Sequence, residues 1–162
     1  MKDLLDKISS YNLFNYLLPG TIFVTLANKF TRYSFIEKNI IIAGFVYYFV
    51  GLIISRLGSL IIEPVLKKIK FLKFTDYKEF ILASKKDPKI EIFSETNNTY
   101  RTLSAMFIFL LLLKLYELVE FKLPMLMIFS PYILVILLLT MFIFSYRKQT
   151  EYIKKRVKVI NE

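Results

Sequence analysis

The fold is decided by residues 123–144, LPMLMIFSPYILVILLLTMFIF, which contain no charged side chain. As an α-helix, this run of 22 residues would be roughly 33 Å long, because each residue adds about 1.5 Å. That length suits a hydrocarbon core of about 30 Å, and a chain of this size has no interior that could cover such a segment on every face. The segment therefore predicts a transmembrane helix.

Three further apolar blocks precede it, at residues 13–27, 40–54 and 102–113. Pro19 and Gly20 interrupt the first block, but membrane helices tolerate both residues when neighbouring groups satisfy the backbone. We therefore predict an all-α fold. Its architecture would be a four-helix transmembrane bundle with a small basic helical cytoplasmic segment between helices 2 and 3.

Basic residues are distributed unevenly between the two sides of such a bundle. One side would carry residues 1–12, 55–101 and 145–162, which hold 18 of the 23 Lys and Arg residues. Cytoplasmic loops of membrane proteins carry this excess, so we predict that both termini are cytoplasmic. The predicted domains are an N-terminal hairpin (1–55), a cytoplasmic helical segment (56–101), a C-terminal hairpin (102–144) and a basic cytoplasmic tail (145–162).

The cytoplasmic segment is predicted to be mostly helical. Residues 59–73 place apolar side chains at helical spacing with lysines between them, which predicts a basic amphipathic helix. Thr75 is placed to cap a second helix that stops before Asp87. Ser94 is placed to cap a third helix, and residues 89–93 alternate in polarity and predict a short extended piece.

The composition argues against catalysis and against metal binding. Cys and His are both absent, so the chain has no thiolate, no disulfide and no usual zinc ligand. The common general base at neutral pH is missing as well. The sequence also contains no phosphate-binding loop and no nucleophile motif. We therefore expect no enzymatic activity, no cofactor and no metal site.

Small residues recur along the second predicted span. Gly44, Gly51 and Gly58 lie seven residues apart, and Ser55 and Ser59 continue a series from Gly51 at a spacing of four. Small residues at such spacings let helix backbones approach closely in lipid. They predict an interface between subunits of a homo-oligomer, and packing within the bundle of one chain is an equally weighted alternative.

Two other features could belong to a conduction path. Lys114, Glu117 and Glu120 share one face near the outer end of the third span, where they could line a pore mouth. The alternative is an interfacial helix end whose charges reach the headgroups. Pro19 and Gly20 are a candidate gate, or a kink that is packed against neighbouring helices.

Basic residues of the cytoplasmic segment are candidates for binding an anionic ligand. Aromatic side chains lie among them, and cations combined with aromatic rings bind nucleotides or single-stranded nucleic acid. The competing interpretation is contact with the anionic lipid bilayer, which juxtamembrane lysines make without a dedicated ligand. The candidates are Lys67, Lys68, Lys70, Lys73, Lys85, Lys86 and Arg101.

Residues 11–20 (YNLFNYLLPG) and 97–102 (NNTYRT) resemble stretches of small multi-pass membrane proteins from bacterial anti-phage defence operons, of the Hailong type. In that family a nucleotidyltransferase partner makes a DNA oligomer that controls a tetrameric membrane channel. The resemblance implies an oligomeric channel in the bacterial inner membrane that depolarises this membrane. Its cytoplasmic basic surface would then sense a nucleotide or oligonucleotide.

These features favour a homo-oligomeric membrane pore that is gated by an anionic cytoplasmic ligand. The alternative is a membrane scaffold that recruits a cytosolic partner through residues 56–101. A transporter is disfavoured, because charged or broken helices do not recur in related halves of the chain.

Overall fold

The computed structural model describes residues 12–123 and 125–161, and within these residues it contains five helices and no strand. The all-α prediction is confirmed. The helices are α1, in which the π-helical turn Leu13–Leu17 leads into Leu18–Phe30, α2 (Ile40–Lys68), α3 (Tyr77–Lys86), α4 (Lys89–Lys122) and α5 (Met125–Asn161). Residues 1–11, which the sequence assigns to the cytoplasm, lie outside the described residues.

Three of the described helices, α2, α4 and α5, are long and apolar enough to cross a membrane. The chain therefore has the helices of a membrane protein. Helix α1 is not one of these three, so the fourth span remains a prediction. Helix α1 nevertheless packs against both α2 and α4.

The centre of the bundle lies between α1, α2 and α4. Ile54, Ala105 and Met106 form the buried core there. Helix α5 packs at the edge, and only 6% of its most apolar stretch, the candidate membrane span, is buried. It continues without interruption through the predicted basic tail to Asn161. The tail is therefore a helical extension of the last span.

Three prolines lie inside the described helices without ending them, Pro131 of α5 among them, and the other two follow a π-helical turn. Pro19 of α1 follows the π-helical turn Leu13–Leu17, and Pro64 of α2 follows a second such turn, Gly58–Ile62. Proline has no N–H to donate, and its ring clashes with the carbonyl one turn earlier. In both turns the residue before the proline donates its N–H five positions back, which gives the ring the space of a wider turn.

The helix predicted at residues 59–73 is confirmed only as far as Lys68. Helix α2 covers the first part of this range and ends where Lys70 adopts a φ of 61°. The N–H groups of Lys70 and Phe71 donate to the carbonyls of Lys67 and Leu66, both at 3.0 Å. These two bonds form a Schellman motif, which usually has glycine at the left-handed position. A lysine there gives no such signal in the sequence.

Helix α3 confirms the second helix predicted in the cytoplasmic segment, but with a different cap. Asp76 occupies the N-cap position, where its carboxylate accepts the N–H of Lys78 at 2.8 Å. The Thr75 hydroxyl instead donates to the carboxylate of Glu79. The helix therefore begins one residue later than a Thr75 cap would place it.

The predictions for the start of the third span are also wrong. Residues 89–93 are helical and not extended, and α4 begins before Ser94. Asp87 accepts the N–H of Lys89 at 2.9 Å, and Pro88 has a helical φ of −58°. Proline at the start of a helix presets this φ, which outweighs the alternating polarity of the residues that follow.

Candidate anion-binding cleft

A cleft of about 600 Å³ opens at the end of the bundle where α3 lies. We call it the α3-side cleft. All five helices contribute to its wall, and its volume lies within the usual range of ligand pockets. Its charged side chains are Arg56, Lys67, Arg101, Lys155 and Glu63; the others are Tyr16, Ser55, Ser59, Phe74, Thr75, Tyr77, Phe80, Ser94, Asn97, Asn98, Gln149 and Tyr152.

Glu63 is the only carboxylate among the described residues that line this cleft. It follows the π-helical turn of α2 and is only 7% exposed. Its Oε1 accepts a hydrogen bond from Lys67 Nζ at 2.9 Å, and its Oε2 accepts one from Arg101 Nη1 at 2.8 Å. A buried carboxylate needs such partners, because an unpaired charge away from water is costly. Glu63 thereby joins α2 to α4.

Arg101 has a donor that no other described residue uses. Its Nε is buried and has no hydrogen-bond partner among the described residues. A guanidinium presents its donors in a planar fork that matches a carboxylate or a phosphate. Because Nε is buried, an acceptor in the cleft can use this donor only when the Arg101 side chain moves.

Lys148 of α5 is anchored on the π-helical turn of α2. Its Nζ donates to the carbonyl oxygen of Ser59 at 2.6 Å and to the Ser59 hydroxyl at 2.7 Å. The carbonyl has no helical donor, because the N–H of Glu63 bonds to Gly58 and Pro64 has no N–H. The ammonium group supplies the missing donor, and it holds a further positive charge beside the cleft.

Aromatic rings lie close to the cations of the cleft. Tyr77 of α3 and Tyr152 of α5 stack with their ring centroids 6.3 Å apart. Lys67 Nζ lies 4.0 Å from the centroid of the Phe74 ring, which is within the range of a cation–π contact. Cations bind phosphate and flat rings stack on nucleobases, so this wall has the chemistry to bind a nucleotide.

A buried polar cluster adjoins the cleft. Asn15 Nδ2 donates to Ser55 Oγ at 3.2 Å, and the Thr102 hydroxyl lies 2.8 Å from Asn15 Oδ1 and 3.1 Å from Ser55 Oγ. All three residues are buried, and they belong to α1, α2 and α4. Because Ser55 also lines the cleft, this cluster connects the cleft to the packing of the bundle.

The predicted anion-binding residues divide into two groups. Lys67 and Arg101 line the α3-side cleft. The remaining candidates are exposed and are not part of its lining; they are Lys68, Lys70, Lys73, Lys85 and Lys86. A lysine on the outer surface meets water or lipid headgroups, where a single charge contributes little to specific binding.

Sequence reasoning missed Arg56, Glu63 and Lys155 in the cleft, and Lys148 beside it. A signal was present in the tail, because residues 145, 148, 149, 152 and 155 lie at helical spacing on one face. Recognising that face required the tail to be a continuation of α5. In the sequence analysis the basic residues of the tail served only to predict which side of the membrane it lies on.

Most of the small residues predicted at a subunit interface are covered by their own chain. A Cβ on Gly51 would lie 1.8 Å from the Tyr16 carbonyl oxygen, and one on Gly58 would lie 3.1 Å from the Ala105 Cβ. The two serines are buried as well, whereas a Cβ on Gly44 would have no neighbour within 4 Å. Packing within one chain therefore accounts for Gly51 and Gly58, and an interface between copies along this face stays a prediction.

The candidate gate at Pro19 and Gly20 lies inside the continuous helix α1. A Cβ on Gly20 would lie 1.8 Å from the Tyr47 carbonyl oxygen of α2, and both candidate residues are buried. This geometry is that of a packed helix crossing. A gating role of these residues stays a prediction.

The candidate pore-lining residues are engaged by the connection between α1 and α2. Arg32 forms an ion pair with Glu120, and the Tyr33 hydroxyl donates to the same carboxylate. Glu117 accepts hydrogen bonds from Lys114 Nζ at 2.8 Å and from the backbone N–H of Arg32 at 3.3 Å. These contacts fix the connection to the end of α4, and a place for the three residues in a pore stays a prediction.

Burial is the main cause that raises the pKa of the Tyr33 phenol above its ordinary value, and the hydrogen bond to Glu120 raises it further. Both causes favour the neutral phenol. Tyr33 therefore donates to Glu120 throughout the physiological pH range.

No protein-family model, no curated protein and no solved structure matches this chain. The function must therefore be inferred from the cleft and from the membrane helices.

Proposed function

We propose that this chain is a multi-pass membrane protein whose α3-side cleft binds a phosphate-bearing anion of nucleotide size. The charge of the cleft is the observation that carries the proposal. Four basic side chains and one carboxylate line it, and Arg101 Nε has no acceptor among the described residues. A phosphate group can accept several N–H bonds at once, and the neighbouring tyrosine and phenylalanine rings suit a nucleobase.

We further propose that ligand binding controls a pore that several copies of the chain form. The ligand would contact α2, α4 and α5 together, and these are the three candidate membrane spans. Helix α5 is largely uncovered in the single chain, which leaves its surface to lipid or to other copies. Binding energy spent in the cleft could thus change how the spans pack.

The resemblance to Hailong-type proteins adds a biological setting to this proposal. The protein would act as a homo-oligomeric effector in the bacterial inner membrane and would depolarise it during anti-phage defence. A nucleotidyltransferase encoded in the same operon would supply the nucleotide or oligonucleotide. Removing that partner gene and measuring the membrane potential during infection tests the setting independently of the binding chemistry.

Binding is tested by titrating the detergent-purified full chain with ATP and pyrophosphate in a calorimeter. Lys155→Gln removes a cation of the cleft, and Lys154→Gln removes the same charge at the adjacent exposed position. Losing one charge-assisted hydrogen bond should weaken binding about tenfold, so Lys155→Gln should do this while Lys154→Gln stays close to the unsubstituted chain. Equal losses in both variants, or no binding of either probe, would contradict the proposed site.

The pore is tested by planar-bilayer recording together with native mass measurement in detergent. We expect an oligomer and a conductance that changes when ATP is added on the side of the α3-side cleft. A single-copy particle without conductance, with or without ATP, would contradict the pore. Such a result would not bear on anion binding, which the calorimetric titration tests separately.

The alternative function, a scaffold for a cytosolic partner, is favoured by a different observation. Phe71, Ile92 and Phe93 are 73%, 60% and 67% exposed, and all three lie in the segment 56–101 that would recruit the partner. Apolar side chains that remain exposed often mark a contact surface. A stable soluble partner that is lost on Phe71→Ser, from a chain that shows no conductance, would favour the scaffold.

A further inference from the structure

The α3-side cleft already contains an anionic group of its own chain. The Glu63 carboxylate lies between Lys67 and Arg101, at 2.9 Å and 2.8 Å from their nitrogen atoms. Lys148 adds a positive charge nearby, and its hydrogen bond to Ser59 holds that charge in place. A carboxylate and a phosphate use the same donors in the same bidentate manner. Glu63 therefore stands where a phosphate oxygen of a ligand would have to bind.

The contact between Glu63 and Arg101 also lies near a position, Gly58, where α2 packs closely against α4. A Cβ on Gly58 would be 3.5 Å from the Arg101 carbonyl oxygen and 3.1 Å from the Ala105 Cβ. The residue after Arg101 is Thr102, which is fully buried in the polar cluster with Ser55. Any change in the partner of Arg101 would thus act directly on the packing of two candidate membrane spans.

We propose that Glu63 is an internal competitor of the anionic ligand: it holds Arg101 on α2 in the empty cleft, and a bound phosphate takes over Arg101. This inference rests on the proposed function, because it concerns the same site. The exchange replaces a link within the chain by a link through the ligand. Arg101 Nε is buried and has no acceptor among the described residues, so it becomes a further donor to the phosphate once the Arg101 side chain has left Glu63.

The competition predicts that removing the charge of Glu63 strengthens ligand binding. Glu63→Gln keeps the shape of the side chain and an acceptor oxygen, and it removes the negative charge. The dissociation constant of ATP should fall about tenfold or more, since two like charges a few ångströms apart repel strongly in a partly buried site. Glu91→Gln, an exposed position on the same helix as Arg101, changes the net charge equally and should alter the constant by less than about twofold.

The outcomes separate this inference from the proposed function. If the unsubstituted chain binds ATP and Glu63→Gln binds it equally or more weakly, the competition is overturned while the anion site stands. If neither chain binds ATP or pyrophosphate, the site itself fails and the competition fails with it. Tighter binding by both Glu63→Gln and Glu91→Gln would overturn the competition as well, because it would show only an effect of net charge.

A distance measurement tests the exchange with Glu63 in place. The chain contains no cysteine, so nitroxide labels can be attached to Val65→Cys on α2 and Glu95→Cys on α4, which are both exposed. Double electron–electron resonance spectroscopy should show that saturating ATP changes the distribution of distances between the two labels. Unliganded Glu63→Gln should shift in the same direction, and an unchanged distribution under saturating ATP would overturn the exchange.

Discussion

Gly51 of α2 lies directly against the backbone of Tyr16 in α1. A Cβ at this glycine would be 1.8 Å from the Tyr16 carbonyl oxygen, and a Cβ on Gly20 of α1 would be equally close to the Tyr47 carbonyl oxygen of α2. Each helix therefore has a glycine where the other presents its backbone. Because neither glycine has a side chain, the two backbones can approach closely. Such close packing stabilises helix pairs in lipid, where dispersion contacts replace the hydrophobic effect.

We expect Gly51→Ala to destabilise the chain by about 1–3 kcal/mol, because the two helices must separate to admit the methyl group. Gly44→Ala is the matched control, since a Cβ there has no neighbour within 4 Å. It should be neutral, or stabilising by up to about 1 kcal/mol through the better helix propensity of alanine. Unfolding in mixed micelles, followed by circular dichroism, measures both. Equal effects of the two variants would contradict the close crossing.

A second prediction concerns Pro64 and Lys148. Lys148→Met removes the donor to the Ser59 carbonyl, which should cost about 1–3 kcal/mol for a partly buried acceptor. Pro64→Ala restores a backbone N–H one turn along the helix, and this donor can satisfy the carbonyl instead. The cost of Lys148→Met should therefore be smaller in the Pro64→Ala chain. A double-mutant cycle measures the coupling, and strictly additive effects would contradict this account.

The buried polar cluster gives a third prediction. Thr102→Val keeps the side-chain shape and removes the hydroxyl shared by Asn15 and Ser55. Leaving these buried groups with fewer partners should destabilise the chain by about 1–3 kcal/mol. Thr96→Val is the control on the same helix, because Thr96 is exposed and its hydroxyl bonds only the carbonyl one turn back. Similar unfolding curves for the two variants would show that the cluster contributes nothing.

The raised pKa of the Tyr33 phenol gives a fourth prediction, with a definite sign. The folded chain favours the neutral phenol, so the associated stability is complete below the pKa of an unfolded tyrosine and is lost as the pH rises through the higher folded pKa. The difference between alkaline absorbance titrations of the unsubstituted chain and Tyr33→Phe isolates this phenol. Glu120→Gln should lower its pKa, and an unshifted titration in the unsubstituted chain would contradict the contact.

The sequence was sufficient to predict the three helices that are long and apolar enough to cross a membrane, but not where they end. The charge-free run at residues 123–144 is long enough to predict a span whatever its neighbours do, and α5 covers residues 125–144 of it. Helix α2 ends where Lys70 adopts a left-handed backbone conformation. Glycine usually occupies such a position, so the lysine gives no sign of it in the sequence. Each π-helical turn accommodates the proline that follows it. The spacing of apolar residues does not show whether a proline will end a helix or widen one turn of it.

The cleft was predictable only in part for a similar reason. Lys67 and Arg101 were identified from local composition, since basic and aromatic residues alternate around them. Lys155 was not, because its contribution depends on α5 continuing past its apolar stretch with the same face toward α2. Glu63 was also missed. Lys67 lies near it in the sequence, but its second partner, Arg101, is brought to it only by the fold.

Helix α5 extends unbroken from its candidate membrane span to the cleft. From Pro131 to Tyr152 it is about 30 Å long, at about 1.5 Å per residue. A rigid rod of that length converts a tilt of five degrees at one end into a displacement of about 3 Å at the other. Because so little of α5 is clamped by its own chain, a small rearrangement around Tyr152 is enough to move the far end of the rod by the width of an atom.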